Sequence, residues 1–97
     1  MENSLTIIIN LYGAFRQFSN CPKDTKNNNQ IQLTLPNPCS VADIRTAFHK
    51  KLNQFHPGYN KELLMLSVFA NDEAILSDDT SIHQSSTFSI LPPVSGG

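Results

Sequence analysis

Charge is scarce in this chain. Only 15% of its 97 residues are charged, and the formal net charge is −1. The basic residues Arg16, Lys23, Lys26, Arg45, Lys50, Lys51 and Lys61 are scattered along the sequence. They form no basic stripe, so nucleic acid is not an expected partner. Long apolar runs are also missing. The longest, Leu5 to Leu11, is interrupted by Thr6 and Asn10 and is far too short to cross a bilayer. Met1-Glu2-Asn3 lacks the positive start of a signal peptide, so a soluble, cytoplasmic protein with no membrane partner is expected. Cysteine is limited to Cys21 and Cys39, with no Cys-x-x-Cys pair and no histidine at ligand spacing, which leaves no zinc site and no redox motif. In a reducing cytosol both should be thiols; a persulfide relay on one of them is the functional alternative. No internal repeat appears.

Apolar residues make up 39% of the chain, enough for one small core, so residues 1–97 are read as a single domain. In Leu5 to Tyr12, the positions Leu5, Ile7, Ile9 and Leu11 alternate with Thr6, Ile8, Asn10 and Tyr12, which predicts a strand with one face in the core. Gly13 and Ala14 break the pattern, and 19–29, with Pro22 and Asn27-Asn28-Asn29, reads as a mobile loop. Gln30 to Leu35 alternates again as a second hairpin arm, ended by Pro36 and Pro38. Ser40-Val41-Ala42-Asp43 has the form of a capping box and should start a helix. Val41, Ile44, Phe48, Leu52 and Phe55 give that helix an apolar face, with Arg45, His49, Lys50, Lys51 and Asn53 on the solvent arc and Pro57-Gly58 as the stop. Leu64 to Ala70 predicts a strand, Asn71-Asp72-Glu73 a turn, and Ala74 to Leu76 a short extended piece. Residues 77–86 read as a connection anchored by Ile82, and Thr87 to Leu91 as the last strand. His49, His56 and His83 read as solvated, and Asp72-Glu73 and Asp78-Asp79 as turn residues rather than a magnesium site. No bound metal or cofactor is expected.

The feature that calls for a function is the ending Leu91-Pro92-Pro93-Val94-Ser95-Gly96-Gly97. The two prolines remove amide donors and fix φ, so pairing should stop there and a semi-extended, flexible tail, 92–97, should leave the body. Gly96 and Gly97 carry no Cβ and can enter a channel too narrow for other residues. The plainer reading of a Gly-Gly end is a frayed terminus, and the prolines argue against it. By strand parity, Phe88 and Ile90 should face the core while Ser89 and Leu91 face out, and Tyr12 should face out with Ile8. Tyr12, Ile75 and Leu91 are therefore expected to border a partner-binding face continued by Pro92, Pro93, Val94 and Ser95.

Hairpin, helix, and a last strand running to the carboxyl end make an α+β plan, the ubiquitin-like β-grasp, with a mixed sheet of four to five strands on one main helix. Phe88 to Gly97, Leu11-Tyr12-Gly13-Ala14-Phe15-Arg16 and Val68-Phe69-Ala70-Asn71 together resemble the sulfur-carrier family of ubiquitin-like proteins, in its molybdopterin synthase small-subunit branch. Gln84-Ser85-Ser86 departs from the Gly-Asp-Glu turn usual in that family. The resemblance implies that Gly97, with Gly96 beside it, is the reactive end. An E1-like adenylyltransferase would activate it with ATP, a sulfurtransferase would supply sulfur, and the resulting thiocarboxylate would serve the large subunit of molybdopterin synthase in molybdenum cofactor biosynthesis. The small subunit would be part of that enzyme without being catalytic alone. Apart from the resemblance, Arg16 is a candidate to pair with an acidic residue near the tail base, on the activating enzyme. A thiazole-pathway sulfur carrier, a protein modifier joined through Gly97, and a binding-only module with a passive tail remain the alternatives.

Overall fold

The computed structural model describes residues 3–18 and 29–93. The expected mobile loop, apart from Asn29, and the tail residues Val94, Ser95, Gly96 and Gly97 lie outside the described residues, as does Cys21. Alternation in the first apolar run becomes β1, Ser4–Leu11, with Leu5, Ile7, Ile9 and Leu11 all buried. A 3-10 helix, Gly13–Phe18, follows and buries Phe15 and Phe18. β2, Gln30–Pro36, lies antiparallel to β1 with Ile7 opposite Leu33. The short β3, Cys39–Ser40, leads into α1, Val41–Phe55. Ser40 caps that helix as predicted: its hydroxyl accepts from the Asp43 amide at 3.1 Å and the Asp43 carboxylate accepts from the Ser40 amide at 2.9 Å.

Leu64 and Met65 do not begin a strand. They close a second helix, α2, Lys61–Met65, capped by Asn60, whose Oδ1 accepts from the Glu62 amide. The apolar run Leu63 to Leu66 hides this turn because periodicity over so short a stretch suits either state; the Asn60 cap was the signal. The strand proper is β4, Val68–Ala70. Asn71 makes the expected turn, its Oδ1 accepting from the amides of Glu73 and Ala74, and β5, Ile75–Leu76, pairs back on β4. The stretch read as connection contains β6, Ser81–Ile82, which pairs with β3 and buries Ile82. β7, Ser86–Leu91, is the last strand.

The main sheet has the order β2-β1-β7-β4-β5, with β7 parallel to β1 and antiparallel to β4. This is a mixed five-stranded β-grasp sheet. α1 crosses one face and buries Val41, Ile44, Phe48 and Leu52. Phe48 links the aromatic core, 6.0 Å from Phe15 and 6.1 Å from Phe69 between ring centroids. Phe55, expected on the apolar face, is 41% exposed, because it lies in the last turn of α1, past Leu52, the last buried residue of that face.

Four polar residues also differ from the sequence reading. Arg45 is no solvent-arc residue: its guanidinium donates to the carbonyls of Leu64 at 2.7 Å and Ser67 at 2.9 Å, pairs with Asp78 at 3.0 Å, and lies over the Phe69 ring. It ties α1 to the turn between α2 and β4. Lys51 bends back to the Gln32 carbonyl at 2.8 Å. His49 and His56 are not simply solvated. His49 Nδ1 is 2.6 Å from the Tyr59 hydroxyl, and the His56 ring stands edge-on to Phe18 at 5.0 Å.

Candidate functional site

The tail leaves from the centre of the sheet. β7 lies between β1 and β4 and is held on both sides as far as Ile90, opposite Leu11; its last paired residue, Leu91, lies opposite Val68 of β4. Parity holds as expected: Phe88 and Ile90 are buried, and Ser89 and Leu91 are half-buried on the face away from α1. Pairing stops at Leu91, where Pro92 and Pro93 offer no amide hydrogen.

Gly13 decides how the tail starts. Its φ is +55°, and a Cβ built on it would lie 2.8 Å from Cγ of Pro92. A side chain at 13 would therefore meet the Pro92 ring in addition to straining the backbone. The missing Cβ is a notch in which the first tail proline sits. In the sequence Gly13 marks the end of a strand and belongs to a segment that carries the resemblance, but nothing in a single sequence links positions 13 and 92.

On the face away from α1, direct pairing aligns Asn10, Ser89, Ala70 and Ile75 in one row across four strands, while Leu91 and Val68 share the next. Ile75 is 65% exposed and stands at the far edge, two strands from Leu91, so about 12 Å separates them. Tyr12 follows Leu11, 43% exposed, at the end of the sheet where the tail emerges. Tyr12, Ile75 and Leu91 thus border one face without forming one cluster. Tyr12 also lines a polar recess of about 200 Å³ with Asn10, Leu11, Arg16 and Asn29. Arg16 is exposed there.

Two exposed apolar residues escaped the sequence reading. Met65 and Leu66, at the end of α2, are 57% and 59% exposed. Leu66 comes two residues before Val68, the partner of Leu91, so it belongs to the tail end of the sheet. Assigning 64–70 to a strand had concealed both. Cys39 is buried, and burial first, then the nearby Asp43 carboxylate, push its thiol pKa up, which makes it a poor nucleophile and a poor seat for a persulfide. Burial likewise raises the Tyr59 pKa. Among the described residues no three His, Cys, Asp or Glu side chains gather as a metal site, and no helix is long and apolar enough to cross a membrane.

No protein-family model matches the chain, and no curated protein sequence matches it. Solved structures do. The chain is similar to SAMP1 from Haloferax volcanii, with a TM-score of 0.63 and 16% identity over 95% of this chain and 99% of that one. It is also similar to a Pyrococcus furiosus protein assigned as molybdopterin converting factor, subunit 1, with a TM-score of 0.65 and 18% identity over 93% and 99%. At these identities the likeness establishes the fold, over nearly the whole of each chain.

Proposed function

We propose that this chain is a ubiquitin-like sulfur carrier of the molybdopterin synthase small-subunit type, with Gly97 as its terminal, reactive residue. The observation that carries the reading is the exit of the chain. The central strand of a β-grasp sheet ends at Leu91, and Pro92 seats on Gly13 at the start of the tail. Likeness in fold to the molybdopterin converting factor subunit of Pyrococcus furiosus agrees with it.

A carboxylate resists sulfur nucleophiles because its leaving group would be oxide. In the proposed sequence the Gly97 carboxylate attacks the α-phosphorus of ATP on an E1-like partner, and pyrophosphate leaves. A sulfur nucleophile from a sulfurtransferase then adds to the acyl carbon and expels AMP. Where that sulfur arrives as a persulfide, a second thiol cleaves the S–S bond and leaves the Gly97 thiocarboxylate. The thiocarboxylate gives its sulfur to a pterin precursor in the large subunit, and hydrolysis returns Gly97 to the carboxylate. This chain supplies the nucleophile, and the partner supplies the pocket. Residues Val94 to Gly97 span about 13 Å when extended, enough for a deep pocket.

Intact-mass measurement of the chain from cells with an active pathway tests this directly. A species heavier by the difference between sulfur and oxygen at the C-terminus supports the carrier reading. An isopeptide conjugate through Gly97 would support a protein modifier instead. A thiocarboxylated chain that failed to make molybdopterin with a large subunit, yet restored thiazole synthesis, would move the assignment to the thiazole branch. Full biological output after deletion of Gly97 would leave only a binding module.

A further inference from the structure

A groove of about 330 Å³ runs between α1 and α2. From α1 it takes Ala42, Arg45, Thr46 and His49, which are spaced by three and four and so share one face of the helix, beside the stripe buried in the core. From α2 it takes Lys61, Leu64 and Met65. Leu64 is fully buried and forms the floor, while Met65 is more than half exposed and stands on the rim. Ala42 and Thr46 are small, and the Thr46 hydroxyl donates back to the Ala42 carbonyl at 3.1 Å, so the wall that they form admits a bulky apolar side chain. Asp78 is the one lining residue outside the helices. The groove therefore offers a partner side chains and no strand edge on which to pair.

The charges in the groove are not balanced within the chain. Asp78, its one acid, is held by Arg45 at 3.0 Å, and the Lys61 ammonium makes no ion pair among the described residues. Glu62, the neighbour of Lys61 on α2, does not line the groove, as adjacent helical residues point apart. His49 has its Nδ1 engaged by the Tyr59 hydroxyl at 2.6 Å, which leaves Nε2 as the ring nitrogen for an incoming group. We propose that this groove binds an amphipathic helix of a partner protein, with a bulky apolar residue set between Thr46, Leu64 and Met65 and a carboxylate on the same face meeting Lys61. The apolar anchor supplies contact area on a floor that is already dry, and the unflanked Met65 thioether adapts its shape to it. The carboxylate supplies the charge that Lys61 lacks and fixes the direction of the helix. The groove is built on α1, and Leu91 lies on the other face of the sheet, so this surface is distinct from the root of the tail. The proposal does not rest on the chemistry at Gly97.

The test uses the full-length, isotope-labelled chain and a blocked, alanine-rich helical peptide that carries leucines one turn apart and glutamates on the same face. Saturable amide shifts should appear at Thr46, His49, Lys61 and Met65, with Leu91 and Thr34 unmoved. Lys61→Glu should weaken binding about fivefold or more, and a peptide with lysines in place of the glutamates should bind that variant better than it binds the parent protein. Met65→Ser should weaken binding about fivefold by removing one wall of the anchor site. Both positions are exposed, so the variants should keep the circular dichroism and the β1 amide shifts of the parent. The proposal is overturned by an absence of saturable shifts, by equal binding of the lysine and glutamate peptides to the parent, by shifts centred on the sheet face or the tail root, or by shifts that follow protein concentration alone, which would make a second copy of this chain the occupant.

Discussion

A glycine and an arginine carry most of what single residues contribute to the tail and its support. Gly13 combines a positive φ of 55° with the contact to Pro92, and the two effects are separable. Gly13→Ala should destabilise the fold by about 1–3 kcal/mol, part from the left-handed backbone and part from the ring. Adding Pro92→Ala removes the Cγ that the new methyl would strike, so the double variant should regain the second part and keep only the first. Denaturant melts of the four proteins in this cycle measure it, and additive losses would rule out the contact. Arg45 acts at the other end of the core. Its side chain is 13% exposed, while Asp78 is 50% exposed. The carbonyl bonds to Leu64 and Ser67 should therefore matter more than the ion pair. Arg45→Lys, which cannot reproduce the planar fork, should cost about 1–3 kcal/mol, and Asp78→Asn under about 1 kcal/mol. Equal losses on thermal or urea unfolding would reverse that ranking.

At the scale of elements, what the sequence made legible depended on how many residues repeated a pattern. β1 and α1 are long, and both were readable: burial follows the alternation of β1 throughout, and the capping box of Ser40 and Asp43 is present in both directions. Ser40→Ala should lower stability by about 0.5–2 kcal/mol and fray the first turn of α1, readable as faster amide exchange at Asp43. The short elements α2, β3 and β6 were not readable, whereas β5 was, through the turn at Asn71 that precedes it. α2 has five residues and β3 and β6 two each, too few for a period to declare itself. Their identity comes from partners distant in sequence, such as Arg45 on the Leu64 and Ser67 carbonyls and Ile82 opposite Cys39. The same limit applies to the site. Parity placed Leu91 and Tyr12 correctly on the surface, but the seat of Pro92 on Gly13 and the exposed Met65 and Leu66 depend on tertiary pairing.

For the whole molecule, the proposed carrier role raises the question of how the last four residues of the tail would secure a partner. Ordering Val94 to Gly97 costs on the order of 4–8 kcal/mol of backbone entropy, the glycines most of all, so the body must add contact area of its own. The face around the tail root offers it: Leu91 stands at the centre, and Ile75 lies about 12 Å away at the sheet edge. Binding energy concentrates in the central, dehydrated part of an interface, and rim residues contribute little. If this face docks the large subunit, Leu91→Asp should weaken association about 30-fold or more, since the carboxylate would be buried without a partner, and Ile75→Asp only about threefold. Both variants should keep the core amide pattern, because Leu91 and Ile75 point away from Phe48 and Leu52. Calorimetric titration against the large subunit, with each variant first checked by circular dichroism, separates the outcomes. A folded Leu91→Asp protein that binds like the parent would place docking elsewhere and leave the tail alone to meet its own ordering cost.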